Sequence, residues 1–111
     1  MTHPANDDET FEARATATLD TLMARIEDQI GDVADVDLEG GVLTIALDDG
    51  GQYVINRHAP NRQIWMSSPR SGAGHFDFDG ARWRNSRDGR DLHQLLADEL
   101  GAATGRTVTL D

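Results

Sequence analysis

Carboxylates recur through the first half of the chain at spacings that gather them along one ridge. Glu27 and Asp28 close a helical stretch, Asp32 follows in a loop, and Asp35, Asp37 and Glu39 take alternate positions of the next stretch. Glu9, Glu12 and Asp20 extend the series backwards. At a helical step, Glu9, Asp20 and Glu27 fall within one stripe, with Asp28 further round. Carboxylate oxygens are hard donors that suit hard or borderline cations. Ligands strung along a convex ridge cannot enclose an ion, so water would fill most of the shell and the sites would be weak and poorly selective. Carboxylates at the C-terminal end of a helix oppose its dipole by about 0.3–1 kcal/mol each. A sequence shaped only for stability would avoid that arrangement. The competing reading is a solvated acidic face that serves solubility or meets a basic protein surface.

A second set of residues lies between Tyr53 and Phe78. In Gln63–Ser67, Ile64 and Met66 point one way and Gln63, Trp65 and Ser67 the other. A large aromatic therefore shares a face with polar residues. Either Trp65 packs under a loop or into a second core, or it stands on an exposed face with Asn56, Arg57, Gln63 and His75. The latter has the composition of a protein-interaction hot spot. His75 could add an imidazole ligand for a metal, although a lone histidine is more often a plain surface residue. His3, His58 and His93 are weaker signals, with no HExxH-type spacing among them. Ser67-Ser68 lacks the frame of a nucleophile elbow. Gly72-Ala73-Gly74 is not followed by a helix, which removes the phosphate-cradle reading.

The chain of 111 residues suits one domain with one modest core. It has no cysteine, so thiolate nucleophiles, persulfide carriage and thiolate-held iron–sulfur clusters are excluded. The net charge of −10 is uneven: thirteen acids face two arginines up to residue 49, and seven face eight arginines after it. Nucleic acid is an unfavourable partner for such a surface. No apolar run approaches the ~20 residues that span a membrane, and the acidic opening MTHPANDDET resembles neither a secretory nor a transit segment.

The elements that would position these residues follow from periodicity. Residues 1–8 are expected to form a flexible lead and 9–111 a single domain. From Glu9 to Ile30, Phe11, Ala15, Leu19, Leu22, Met23, Ile26 and Ile30 make one apolar helical face, and Gly31 stops the helix. Short strands are expected at Val33–Glu39, Val42–Leu47, Gln52–Asn56, Gln63–Ser67, His75–Phe78 and around Trp83, the last a core residue. Asp91 can cap a second helix, with Gln94 completing a capping box and Gly105 ending it. Val108 and Leu110 could tuck against the helices. Tight turns between successive strands imply an antiparallel meander. Two amphipathic helices need one apolar surface, so the expectation is an α+β two-layer sandwich. Its two helices cover one face of a six-stranded, largely antiparallel sheet.

Asn56-Arg57, Pro60, Gln63-Ile64-Trp65, Ser67-Ser68-Pro69, Gly72, Gly74 and Phe76-Asp77 resemble the sheet signature of the frataxin family, bacterial (CyaY-type) or mitochondrial. Trp83, Asp88-Gly89 and Leu92–Leu96 continue the resemblance, which spans about residues 11–110. It implies the same α+β sandwich and a ridge that binds ferrous or ferric iron weakly and reversibly, with other divalent cations able to substitute. Carried over by position, the metal residues are Glu27, Asp28, Asp32, Asp35 and Asp37, with Asp20 as an extra. Gly31 departs from richer bacterial ridges. The resemblance also implies that Asn56, Arg57, Gln63, Trp65 and His75 meet the cysteine desulfurase and its iron–sulfur scaffold. The expected role is a metallochaperone and regulator of cluster assembly, a monomer that could oligomerise with iron, in a bacterial cytoplasm or as a mature mitochondrial-matrix form. The alternatives are a ferroxidase and a metal-independent acidic regulator.

Overall fold

A computed structural model of the chain describes residues 7–111. Helix α1 spans Asp7–Ile30, and six strands follow: β1 (Ala34–Glu39), β2 (Val42–Leu47), β3 (Gln52–His58), β4 (Gln63–Ser68), β5 (Gly72–Phe78) and β6 (Trp83–Asn85). Helix α2 (Leu92–Thr104) closes the order. The strands form one sheet in sequence order, antiparallel throughout. The α+β sandwich expected from periodicity is therefore the fold. The helix starts two residues earlier than the apolar pattern indicates, at Asp7. The rest of the expected lead, residues 1–6, lies outside the described residues.

Period-two alternation decides which face is covered. Leu43, Ile45, Leu47, Tyr53, Ile55, Ile64, Met66 and Phe76 are buried on one sheet face. Phe11, Ala15, Leu19, Leu22, Ile26 and Ile30 of α1 meet them, together with Leu92, Leu95, Leu96 and Leu100 of α2. Trp83 is buried as expected, edge-on to Phe11 and Phe78, and its indole N–H donates to Thr18 Oγ1 at 2.9 Å. Val108 and Leu110 also join the core. The tail runs beside α1, where Gln29 exchanges hydrogen bonds with the backbone of Thr109 and Arg25 donates to the Asp111 carbonyl.

Turn chemistry fixes the register. Glu39 and Val42 are paired across Gly40-Gly41, whose φ values of +61° and +80° suit a two-residue hairpin that only glycines enter cheaply. Asp91 caps α2 through His93 N–H at 3.3 Å, and Gly105 ends the helix in the left-handed region. The expected capping box is not closed: the Gln94 amide donates to Asp98, one turn on, at 2.8 Å. Arg82 takes over the anchoring of the cap, binding the Asp91 carboxylate and reaching Asp111 Oδ1 at 2.7 Å.

One acid is buried within this frame. Glu99 Oε1 accepts from Tyr53 OH at 2.9 Å and from Ser68 Oγ at 2.6 Å. Ser68 Oγ in turn accepts from the Arg70 and Ser71 amides, which ties the β4–β5 turn to α2. Burial, and then the Glu99 carboxylate beside it, raises the Tyr53 pKa well above the ordinary phenol value, so the phenol stays a donor. Replacing Glu99 by Ala strands two buried hydroxyls and opens a void. The expected cost is about 2–4 kcal/mol, whereas Glu99→Gln keeps an acceptor and costs about 1 kcal/mol. Urea unfolding of the two variants checks the difference, and equal losses would show that packing rather than hydrogen bonding holds this position.

Candidate metal edge and docking face

The α1–β1 edge follows from two periodicities meeting. On α1, the positions between the buried stripe residues leave Asp20, Glu27 and Asp28 exposed. On β1, Ala34, Val36 and Leu38 turn toward the helices, so Asp35, Asp37 and Glu39 point away and are exposed. β1 is an edge strand, paired only with β2. Across the ladder Asp35 faces Ala46, Asp37 faces Thr44 and Glu39 faces Val42, so no cation stands opposite. Among the described residues, none of Asp20, Glu27, Asp28, Asp35, Asp37 and Glu39 makes an ion pair or side-chain hydrogen bond. No three ligating side chains among the described residues gather closely enough to hold a metal. The free carboxylates are a dispersed set rather than a chelate.

Asp32 differs from the others. Both of its oxygens are taken by Arg106, each at 2.7 Å, and Arg106 also donates to the Gln29 carbonyl at 3.0 Å. The guanidinium hydrogen bonds hold the Asp32 pKa below the usual carboxylate value. A cation would have to displace Arg106 to use this carboxylate. Asp32, expected among the metal residues, is held in this ion pair. Its partner comes from the C-terminal tail, seventy-four residues away, beyond the reach of local spacing.

The sheet face turned away from the helices holds the second site. Register aligns Glu39, Val42, Asn56, Trp65 and His75 in one row across β1–β5. At about 4.8 Å per strand, Glu39 and Trp65 are roughly 14 Å apart. Val42, 37% exposed, is the one large hydrophobic that stands out among the described residues. Trp65 is half-buried on the face turned away from the helices. His58 stacks on one side of the indole at 3.6 Å between centroids, within 6° of parallel, and His75 on the other at 4.4 Å and 22°. The indole N–H donates to Gln63 Oε1 at 2.8 Å, and the Gln63 amide donates to Asp77 Oδ1 at 3.0 Å.

Asn56, Gln63, Trp65 and His75 are therefore together, and Arg57 is not with them. Adjacent strand residues point to opposite faces, so Arg57 turns toward the helices. Its Nη1 donates to Thr16 Oγ1 at 2.8 Å, and its side chain lies so close over Gly41 that a Cβ there would approach Nε to 2.8 Å. Arg57 lines a small groove with Thr16, Leu19, Asp20, Leu38 and Gly41. His58 is the residue that sequence reasoning missed. Extending the β3 alternation by two positions from Asn56 would have placed it on the Trp65 face.

A helix, a six-stranded antiparallel meander and a second helix, with an acidic edge and a tryptophan on the uncovered face, define a frataxin-like sandwich. The Frataxin-like domain family matches residues 4–106, and the chain belongs to it. The iron–sulfur cluster assembly protein CyaY of Neisseria meningitidis serogroup B is 39% identical over 94 residues, covering 82% of this chain and 87% of that one. A solved frataxin from Psychromonas ingrahamii superposes with a TM-score of 0.86 over 96% of this chain and 99% of that one; at 24% identity it speaks for the fold alone. A trimeric yeast (Saccharomyces cerevisiae) frataxin complexed with ferrous iron reaches a TM-score of 0.71 at 32% identity, covering 95% and 92%.

The Asp32–Arg106 pair gives a pH signature. The folded-state pKa of Asp32 is depressed, so the pair stabilises the fold above the unfolded aspartate value near 3.9 and loses that contribution as pH falls through the folded value. Arg106→Ala should melt slightly below the wild type at neutral pH, and the gap should close as pH drops below that range. A gap that persists at low pH would mean that the substitution acts through tail packing at Val108 and Leu110.

Proposed function

We propose that this chain serves iron–sulfur cluster assembly by carrying iron weakly on the α1–β1 edge and docking through the open sheet face. Family membership and the Neisseria relative's name support the assembly role. The observation that carries the finer reading is the row of the uncovered face, which begins at the acidic edge and ends at the Trp65 stack. The partner is the cysteine desulfurase with its scaffold, to which the chain would supply iron or for which it would set the rate of sulfur transfer. Asp20, Glu27, Asp28, Asp35 and Asp37 are the iron residues of this reading, with Asp32 available only once Arg106 is displaced. Asn56, Gln63, Trp65, His75 and, from the flank, Arg57 are its docking residues. The bacterial relative favours a bacterial cytoplasm as the setting.

Weak sites suit a donor, which must release its ion. Dispersed carboxylates leave most of the coordination shell to water, and that supports ferrous or ferric iron held reversibly, with other divalent cations as substitutes. The yeast neighbour's ferrous complex supports iron in particular. The absence of a three-ligand cluster among the described residues favours a second reading, a metal-independent regulator whose acidic edge meets a basic partner surface. A ferroxidase would need a built centre, and nothing among the described residues offers one.

Anaerobic Fe²⁺ titration followed by amide NMR tests the reading. Selective broadening at Asp20, Glu27, Asp28, Asp35 and Asp37 is expected, with Asp32 responding late or not at all. The triple change Glu27→Ala, Asp28→Ala, Asp35→Ala should weaken iron binding and leave the fold unchanged. Trp65→Ala should impair docking on the desulfurase–scaffold complex with iron binding intact. No selective change up to millimolar iron would sink the carrier reading in favour of the metal-independent regulator.

A further inference from the structure

We infer that His58 is a positioning residue of the docking face: with His75 it clamps the Trp65 indole into an imidazole–indole–imidazole block, and this block is what a partner meets. The inference rests on the docking reading above for its consequence, but the clamp itself stands on geometry. Both faces of the indole are covered, at 3.6 Å by His58 and 4.4 Å by His75. Its single hydrogen-bond donor is spent on Gln63, which Asp77 holds in turn. Trp65 therefore has neither a free π face nor a free N–H to offer. A partner reaches the ring edge and the outer surface of the exposed His75.

A second observation shows that the His58 ring is held by the stack rather than by hydrogen bonding. Its Nδ1 is buried without a partner. A buried nitrogen left unpaired is a cost that a histidine swung outward into water would avoid. The near-parallel overlap with the indole compensates for it. Stacked aromatic rings attract one another beyond the area they bury. The chain path makes this possible. Trp65 pairs with Asn56 and His75, and His58 pairs with Gln63 at the end of the same hairpin, so His58 leans over Trp65 on the diagonal. An order-giving clamp matters for binding because a ring already fixed in its bound position loses little freedom on association.

The test uses His58→Ala, His58→Phe and Trp65→Ala in the full chain. The Trp65 indole NMR signals report the clamp, and titration against the desulfurase–scaffold complex reports docking. The Trp83 indole, bonded to Thr18 inside the core, is the internal control for folding. His58→Ala should broaden and shift the Trp65 signals, leave Trp83 unchanged and weaken docking about two- to twelve-fold. His58→Phe restores a stacking ring without imidazole nitrogens and should recover both readouts to within about two-fold. Sharp, unshifted Trp65 signals in His58→Ala would overturn the clamp. Recovery of ring order in His58→Phe without recovery of docking would overturn positioning as its role. Wild-type docking by Trp65→Ala would instead remove the docking reading, with the indole signals still deciding the clamp.

Discussion

One apolar sheet face, sealed by two helices, is the constraint on which everything else in this molecule depends. Six short strands in sequence order alternate, so the inward apolar positions from Leu43 to Phe76 contribute to a single layer, with Arg57 the charged exception. Helix α1, with twenty-four residues, supplies Phe11, Ala15, Leu19, Leu22, Ile26 and Ile30 to it, and α2 packs beside them. Among the described residues there is no third layer. The same alternation that builds the core must leave a second set of side chains on the uncovered face. Whatever the sheet presents to another molecule is fixed by the register that fixes the core, and a one-residue slip would exchange the two sets.

Charge is distributed by the same logic. The arginines of the second half hold the frame: Arg82 ties the α2 cap to the C-terminus, Arg84 pairs with Asp79, Arg57 reaches α1 and Arg106 takes Asp32. The planar fork of arginine suits these carboxylate and hydroxyl partners. Among the described residues, Asp20, Glu27, Asp28, Asp35, Asp37 and Glu39 are left without an ion-pair partner. Like charges on one edge repel, and on the helix they oppose the dipole. The stability of the fold comes from the apolar layer, which can bear that repulsion because it lies at the rim.

How much of this was legible in the sequence depended on the range of each interaction. Alternation in Asp35-Val36-Asp37-Leu38 shows the outward carboxylates from four letters, and the period of Phe11 to Ile30 shows the buried side of α1. Trp65 on the polar face was equally readable. Its clamp was not, because His58 lies beyond Asn56, where the sequence pattern ends β3, and meets Trp65 only through the hairpin pairing. Arg57 was misplaced for a simpler reason: its neighbour Asn56 belongs to the open face, and two adjacent strand residues cannot share one. Arg106 on Asp32, and Glu99 under Tyr53 and Ser68, join residues far apart in the chain, where spacing carries no information. Gln94 shows the converse limit. The capping box was compatible with the sequence, but the Gln94 side chain points along the helix, where its Nε2 donates to Asp98, instead of back to the Asp91 N–H.

The incompleteness of the acidic edge is itself a functional argument. A cation on Asp35 or Asp37 keeps most of its water, because no three ligating side chains gather among the described residues. Such an ion moves readily to any surface that offers more ligands, and a protein covering the open face would bring that surface within reach. The outward β1 carboxylates and the Trp65 block lie on the same side of the sheet, Glu39 and Trp65 roughly 14 Å apart at strand spacing. A single docked protein of ordinary interface size, about 800 Å² per partner, covers both. In the proposed reading, attachment and metal handling are therefore coupled by position alone: the partner that grips the stack also approaches the carboxylates. A basic partner surface would displace the ion and an acidic or thiolate-bearing one would receive it, so the partner's chemistry at that edge decides between regulation and delivery.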